Sequence, residues 1–245
     1  MTILLSLLLT ALAVPTVLCA AYLFTLTLLS ARLPVPPPSV PRLRFRVLVP
    51  AHNESAGIAG TVESLLSLDY PRELFDVLVI ADNCTDDTAA RARAAGALVL
   101  ERTSETERGK GYALHHAFER LPPETDAAVV IDADTLASPN LLRAFAARLE
   151  AGALAVQADY AVRNPNAAWR TRLIAIAFGA FHIVRSRGRE RLRVSAGLRG
   201  NGMCFAARLL QSVPHEAFSI VEDVEYGIRI AEAGHRVVYA DDAHV

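Results

Sequence analysis

The sequence predicts an α/β fold in which a doubly wound, mostly parallel sheet carries helices on both faces. Short β-branched runs alternate with alanine-rich helical stretches from residue 45 onward, and this alternation is typical of strand-helix-strand units. Apolar runs such as residues 77–81 (VLVIA) are nearly continuous, as expected for strands that are covered on both faces. The first 31 residues contain no charged side chain, which indicates one transmembrane helix before the sheet.

The order of the strands along the chain places the functional residues. Strands are predicted at residues 46–49, 77–80, 97–100, 127–131 and 154–157, after the turn at 200–202, and at 236–239. Sheets of this class bind their ligands at the carboxyl ends of the strands. Polar residues at those ends are therefore the candidates for function.

The apolar segment 1–31 is followed by basic residues and preceded by none. A cleaved signal peptide is the alternative to a membrane helix, but it requires a basic start and a shorter apolar core. The positive-inside rule places the residues after the segment at the cytoplasmic face of the inner cell membrane. The proline-rich residues 32–44 predict a stiff linker, and residues 45–245 predict one domain. The basic residues behind this orientation are Arg32, Arg42, Arg44 and Arg46.

Charge and cysteine content exclude other classes of protein. The chain has 25 basic and 26 acidic residues, a balance that gives no footprint for nucleic acid. Its 3 cysteines are far apart and form neither a Cys-x-x-Cys pair nor an even set for disulfides. A reducing compartment fits this usage best.

The first two strands end in polar residues. Pro50 stops pairing at the end of the first strand, and His52 and Glu54 follow it. Both side chains are expected in a strand-end cleft, although ordinary turn chemistry explains them equally well. Asp82 ends the second strand, where its carboxylate can accept hydrogen bonds from a base such as uracil. A structural turn is the alternative for Asp82.

A basic residue stands between two glycines before the helical run at 113–120. Lys110 follows Gly109 and precedes Gly111, and a lysine at the amino end of a helix can meet a phosphate. The loop lacks the P-loop pattern. An exposed loop lysine is an equally good interpretation.

A pair of carboxylates follows the fourth strand directly. Asp132 and Asp134 are two residues apart, and in extended chain this spacing points both side chains to one side. Mg²⁺ and Mn²⁺ take one or two protein carboxylates and complete their shell with water and substrate phosphate. The pair therefore predicts a divalent cation site.

Two later segments are ambiguous on composition alone. Gly202 belongs to a tight Gly-Asn-Gly turn that enters a strand, and Glu222 and Asp223 begin a helix, where the dipole favours carboxylates. The apolar run 173–184 and the arginine-rich run 185–193 that follows it suit either a membrane surface or a solvated loop beside the cleft.

Taken in order, these segments resemble the inverting glycosyltransferases of family 2, which have a GT-A fold. The likeness spans residues 45–245, and the ordered set is far more specific than any single motif. It resembles most the membrane-embedded polysaccharide synthases and the lipid-linked glycosyltransferases. The segments that carry it are PAHNE (50–54), DNCTD (82–86), GKG (109–111), DAD (132–134), GNG (200–202) and ED (222–223).

The resemblance assigns a role to each candidate. It implies that Pro50, His52, Glu54, Asp82, Lys110 and Asp132 bind the nucleotide sugar, with Asp82 on the base. It implies Asp134 as the ligand of Mn²⁺ or Mg²⁺, Asp223 as the catalytic base, and Gly202 and Glu222 as support on the acceptor side. The partners implied are a UDP-sugar, a carbohydrate or lipid-linked acceptor, and the membrane. Family members usually continue beyond the position matched by Val245, so the domain is expected to be incomplete at its carboxyl end.

Two other functions compete with this interpretation. A sugar nucleotidyltransferase shares the sheet and the metal, but it requires a basic, glycine-rich loop after the first strand, and residues 51–57 contain no Lys or Arg. A non-catalytic membrane subunit of a synthase has no need for the carboxylates at 132, 134, 222 and 223. The sequence therefore favours the transferase.

Overall fold

A computed structural model of the protein describes residues 2–37 and 40–245. Its strands are β1 (Phe45–Ala51), β2 (Phe75–Asp82), β3 (Leu98–Arg102), β4 (Ala127–Val130), β5 (Ala155–Asp159), β6 (Met203–Ala206) and β7 (Val237–His244). Its α-helices are α1 (Thr2–Leu28), α2 (Ile58–Leu66), α3 (Thr88–Ala94), α4 (Lys110–Phe118), α5 (Leu141–Glu150), α6 (Trp169–Phe178), α7 (Arg185–Arg191), α8 (Ala207–Ser212) and α9 (Glu222–Glu232). A 3₁₀ turn (Arg72–Leu74) precedes β2, and a π-helical segment (Gly179–Val184) joins α6 to α7.

The strands form one sheet of 7 in the order β3-β2-β1-β4-β6-β5-β7. All pairs are parallel except those of β6, which runs antiparallel to both β4 and β5. The predicted mostly parallel α/β sheet is confirmed. Because β6 is reversed, its first residues lie at the same edge as the carboxyl ends of the other strands. The turn at 200–202 thereby joins the edge where ligands are expected.

Helices cover both faces of the sheet, as predicted. On one face α2, α3 and α5 pack on strand residues such as Val47 and Val79. On the other face α4, α8 and α9 pack on residues such as Leu48 and Val130. All four of these strand residues are fully buried, and each contributes about 1.5–3 kcal/mol by leaving water. The sheet is thus a rigid platform for the loops at its edge.

The long apolar helix α1 is exposed along most of its length. Residues Leu4–Leu28 have a mean hydropathy of 2.3 and are long enough to cross a membrane. A signal sequence passes the same test of length and composition. The helix ends at Leu28 rather than at the predicted residue 31. Its carboxyl end is attached to the domain, because Leu26 is only 1% exposed.

The contact that buries Leu26 is made by a glycine of α7. A Cβ atom at Gly188 would lie 2.6 Å from the carbonyl oxygen of Leu26, so only glycine allows this approach. Nearby, Arg191 donates hydrogen bonds to the carbonyl oxygens of Ala31 and Arg32, both at 3.0 Å. The end of the apolar helix is therefore docked on the domain.

Gly188→Ala is expected to weaken this docking and to lower the midpoint of thermal unfolding in detergent. The added methyl group overlaps backbone atoms of α1, and overpacking of this kind costs about 1–3 kcal/mol. Gly179→Ala is the matched control, because a Cβ there meets nothing within 4 Å. A midpoint for Gly188→Ala equal to that of Gly179→Ala would contradict the docked arrangement.

The predicted linker, residues 32–44, has neither helix nor strand in its described part, and Pro38 and Ser39 lie outside the described residues. It is bonded to the domain near its carboxyl end, where the Arg44 amide donates to Asp126 Oδ2 at 2.7 Å. Near its other end, the Leu33 amide donates to Asp241 Oδ2 at 3.0 Å. Its role as a domain boundary stays a prediction.

Candidate active site

A cavity of about 510 Å³ opens at the carboxyl ends of β1 and β2. Residues from three segments surround it: the end of β1, the end of β2, and the start of α4. Its lining includes four predicted donor-binding residues, namely Pro50, His52, Asp82 and Lys110. Sequence reasoning missed the other lining residues, among them Asn53, Asn83, Thr85 and Arg108. Arg108 is a second cation near the predicted phosphate position.

Asp82 is buried and paired with an arginine that the motif search did not find. Arg102, at the end of β3, places Nη1 2.7 Å from Asp82 Oδ1, and both side chains are buried. His52 Nδ1 lies 2.8 Å from the carbonyl oxygen of Asp82; since a carbonyl only accepts, this ring nitrogen carries the proton. The ion pair with Arg102 and the bond to His52 hold Asp82 in place at the floor of the cavity. Its Oδ2 is the carboxylate oxygen that is not bonded to Arg102.

Two asparagines in the left-handed region hold the loop after β2 to its neighbours, Asn53 on the side of β1 and Asn83 on the side of β3. Asn53 (φ 57°) accepts a hydrogen bond from the Thr85 amide at 2.8 Å, and Asn83 (φ 51°) accepts one from the Ser104 amide at 2.9 Å. Asparagine is among the few side chains that adopt this conformation readily. The sequence alone does not show which asparagines do so.

Glu54 lies outside the cavity lining, in contrast to its neighbour His52. Its amide donates to Thr88 Oγ1 at 2.8 Å, and its carbonyl accepts from the Gly57 and Ile58 amides at 3.1 and 3.0 Å. The backbone of Glu54 thus begins the turn into α2. A role of its carboxylate in donor binding stays a prediction.

Lys110 is the first residue of α4, and Gly109 before it has φ 112°, which favours glycine. The ammonium group forms an ion pair with Asp132 and donates to the Gly200 carbonyl oxygen at 2.5 Å. Glu222 Oε1 lies 3.9 Å away. Lys110 therefore joins three separate chain segments, and the exposed-loop alternative is wrong.

The Asp132–Asp134 pair lies in a turn, not in extended chain. β4 ends at Val130, and the Thr135 amide donates to the Asp132 carbonyl oxygen at 3.2 Å. The argument from strand alternation is therefore wrong for this pair. Both carboxylates nevertheless act on one group: burial raises the pKa of Tyr160, and the negative charges of Asp132 and Asp134 also raise it.

Asp134 has the chemistry that a divalent cation requires. Its side chain is exposed, and it forms no hydrogen bond or ion pair with any described residue. Clusters of three or more His, Cys, Asp or Glu suited to a metal are absent from residues 2–37 and 40–245. Mg²⁺ and Mn²⁺ bind with one or two carboxylates, since water and phosphate supply the remaining oxygens. A single available carboxylate is consistent with such an ion.

The turn at 200–202 closes the site from the side of β6. Gly200 has φ 75°, and a Cβ atom there would lie 3.6 Å from Lys110 Nζ and 3.7 Å from Asp223 Oδ2. Lys110 and its contacts Asp132, Gly200 and Glu222 form a group that we call the Lys110 cluster. Asp223 lies beside this cluster at Gly200. Burial raises the pKa of the Glu222 carboxyl; the positive charge of Lys110 opposes this change, and the charges of Asp223 and Asp132 add to it.

The sequence that forms this domain matches a known family. The family model described as glycosyltransferase like family 2 matches residues 41–245. The chain belongs to glycosyltransferase family 2. A relative in Synechocystis sp., a β-monoglucosyldiacylglycerol synthase, is 30% identical over 205 residues, which cover 78% of this chain and 41% of that protein. The chain thus spans about two fifths of the length of this relative.

Solved structures of glycosyltransferases have the same fold. A mannosyltransferase from Pyrobaculum calidifontis, solved with GDP-Man and Mn²⁺, aligns with a TM-score of 0.69 at 21% identity, over 95% of this chain and 68% of its own. Glucosyl-3-phosphoglycerate synthase from Mycobacterium tuberculosis, solved with UDP, aligns with a TM-score of 0.53 at 26% identity, over 83% and 71%. The GT-A fold expected for family 2 is thereby confirmed.

Within this family 2 domain, Asn201 is a positioning residue that the sequence did not reveal. It is completely buried, its Oδ1 accepts from the Asp132 amide at 3.0 Å, and its Nδ2 donates to Thr135 Oγ1 at 2.9 Å. It fixes both ends of the turn that carries Asp134. The neighbouring Gly202 serves packing, because a Cβ there would lie 2.7 Å from Val245.

Proposed function

We propose that the chain transfers a sugar, with inversion, from a nucleoside diphosphate donor, preferably a UDP-sugar, to an acceptor hydroxyl. The observation that carries this proposal is the position of Asp223 beside Gly200 and the Lys110 cluster, next to the cavity at the ends of β1 and β2. A donor bound in that cavity extends its diphosphate toward Lys110. The anomeric carbon then lies between the diphosphate and Asp223.

The residues around the cavity have separate roles in the reaction. The base of the nucleotide contacts the floor made by His52 and Asp82, while Arg108 and Lys110 provide positive charge for the diphosphate. Asp223 accepts the proton of the acceptor hydroxyl, which is a role that a positioned carboxylate performs well. Asp132 holds Lys110 in place, and Asp134 is the residue that would hold Mg²⁺ or Mn²⁺. When bound, the cation supplies charge stabilisation for the departing diphosphate.

The acceptor is expected at a membrane surface, to which the chain is attached by α1. The exposed apolar stripe of α6 fits the same surface: Trp169, Leu173 and Ile176 are 68%, 56% and 65% exposed and recur at helical spacing. Phe178 points the other way and packs on Tyr160, with ring centroids 5.5 Å apart. Exposed apolar side chains with arginines beside them are typical of membrane interfaces. We place the catalytic domain on the cytoplasmic side.

Neither competing function is favoured by an observation of the site. A nucleotidyltransferase needs cations in the loop after β1, whereas here the cations of the cavity, Arg108 and Lys110, come from the start of α4. A non-catalytic subunit does not require that Lys110 organise Asp132, Gly200 and Glu222. Assays of donor cleavage separate both from a transferase.

UDP is expected to bind the detergent-purified protein in the presence of Mn²⁺ and to bind at least tenfold more weakly when EDTA replaces the metal. Asp134→Ala is expected to remove this dependence on metal, because the exposed carboxylate is the protein ligand of the ion. Calorimetric titration measures both. Glu124→Ala, an exposed carboxylate before β4, is the control. Equal binding with Mn²⁺ and with EDTA in the unchanged protein would contradict a metal-dependent donor site.

A further inference from the structure

A second cavity, of about 470 Å³, is lined in part by Asp223. It is formed between the π-helical segment with α7, the residues before Gly200, and α9. Asp223 does not line the cavity proposed for the donor, so the proposed catalytic base is reached from a different cavity. The side chains used in the argument below are Phe181, Arg185, Arg189 and Arg199.

Three arginines line this cavity without an acidic partner. Arg185, Arg189 and Arg199 form no salt bridge with any residue of the described chain, although α7 and β7 carry acids close by. Those acids are already engaged: Asp241 pairs with Arg187 at 2.6 Å and Glu190 with Arg236 at 2.9 Å. Asp223 is the carboxylate of the lining, and it stands against these three arginines, so the cavity keeps an excess of positive charge.

The guanidinium groups are held in place by other contacts. Arg185 and Arg199 lie against the ring of Phe181, with Cζ 4.7 and 5.0 Å from its centroid. Arg199 also donates to Ser186 Oγ at 2.5 Å. The Nε atoms of Arg189 and Arg199 are buried and have no hydrogen-bond partner among the described residues. Each guanidinium has five N–H donors, so these arginines keep further N–H groups for a ligand that accepts hydrogen bonds.

Repulsion among the three arginines of this cavity also favours a bound anion. Burial, together with the positive charges of Arg185 and Arg189, lowers the pKa of Arg199 to about 10. Holding like charges close together in a partly buried place costs free energy, and a bound anion removes that cost. Guanidinium groups match phosphate oxygens in two-point hydrogen bonds, which makes phosphate the anion that such a cluster binds best.

We propose that this cavity binds a phosphate group of the acceptor and thereby holds an acceptor hydroxyl beside Asp223. The proposal rests on the proposed function and names the class of its acceptor as a phosphate ester. In the reaction, the hydroxyl oxygen bonds to the anomeric carbon and its proton passes to Asp223. The bond from that carbon to the diphosphate oxygen breaks, and the nucleoside diphosphate leaves with the electron pair.

The phosphate has two sources, a phospholipid headgroup or a soluble phosphate ester. The position of α7 favours the lipid, because this helix carries Arg185 and Arg189 and also the Gly188 contact with the end of α1. One wall of the cavity is thus attached to the end of the apolar helix. A headgroup at the bilayer surface lies near this wall.

The test measures binding of three probes to the full chain in detergent by calorimetry. The probes are short-chain dihexanoyl phosphatidylglycerol, glycerol 3-phosphate, and dihexanoyl glycerol, which lacks phosphate. Both phosphate probes are expected to bind at least tenfold more tightly than dihexanoyl glycerol, with the lipid the tighter of the two. Tighter binding of glycerol 3-phosphate would identify a soluble acceptor. Equal binding of all three would overturn the proposal.

The variants Arg199→Gln and Arg185→Gln are each expected to weaken phosphatidylglycerol at least tenfold and to leave UDP binding unchanged. Arg193→Gln is the control, because Arg193 is exposed, belongs to the same basic run, and lies outside the cavity lining. Arg185 is the less buried target should Arg199→Gln fail to fold. The proposal would be overturned if Arg193→Gln weakened phosphatidylglycerol binding as much as the two variants do. If UDP binds but neither arginine variant weakens phosphatidylglycerol binding, the acceptor proposal is overturned and the proposed function stands. If UDP does not bind, the proposed function itself is refuted.

Discussion

Asp223→Asn is expected to lower the rate of sugar transfer by about two to four orders of magnitude and to leave the affinity for UDP unchanged. A general base contributes about 10²- to 10⁴-fold to a rate, and asparagine keeps the shape of the side chain but cannot accept the proton. Asp223 does not line the cavity proposed for the donor. Its substitution should therefore change the chemical step and spare donor binding.

Radiolabelled sugar transfer measures the rate, and titration with UDP and Mn²⁺ measures the affinity. Glu232→Gln is the matched control, because Glu232 is an exposed carboxylate at the other end of α9. Two results would count against the assignment of Asp223 as base. One is loss of UDP binding in Asp223→Asn, which would place this carboxylate on the donor. The other is a rate equal to that of Glu232→Gln.

Much of the fold was predictable from the sequence because its strands are unusually clear. Runs such as VLVIA in β2 allow little other than a covered strand, and the alternation with helices fixes a parallel sheet. The exception is β6. The segment between β5 and β6, residues 160–202, begins and ends at the same edge of the sheet, so β6 returns in the opposite direction. Alternation of elements carries no information about that return.

The sequence predicted which residues belong to the site better than it predicted how those residues contact one another. The positions of Asp82 and Asp132 at strand ends and of Lys110 at a helix start follow from short motifs, and the resemblance to family 2 selected Asp223. Pairing partners from distant segments were not predictable, because Arg102 and Asn201 carry no local signature and bind residues that are far from them in the sequence. The turn at Asp132–Asp134 also escaped prediction, since a two-residue spacing is the same in a strand and in a turn. Roles of the individual residues remain predictions for the experiments above.

The glycine after Lys110 is the position where one methyl group is expected to do the most damage. A Cβ atom at Gly111 would lie 2.1 Å from the carbonyl oxygen of Ala217 and 3.2 Å from Phe218 Cα. These are backbone atoms, which do not move aside as the end of a flexible side chain does. The segment they belong to leads into α9, and the ring of Phe218 stacks on Tyr112 with centroids 4.4 Å apart. The contact therefore joins the helix of Lys110 to the helix of Asp223.

Gly111→Ala is expected to lower the free energy of unfolding by about 3 kcal/mol or more, at or above the usual range for overpacking. Gly60→Ala in α2 is the control, since a Cβ there meets nothing within 4 Å and alanine in a helix gains about 0.5–1 kcal/mol over glycine. Both variants receive the same helix gain, so the difference between their urea unfolding curves isolates the overlap with Ala217. If the folded Gly111→Ala protein keeps UDP binding but loses transfer, separation of Asp223 from Lys110 explains the loss. Equal stability of the two variants would show that α4 and the 217–218 segment do not pack as closely as described.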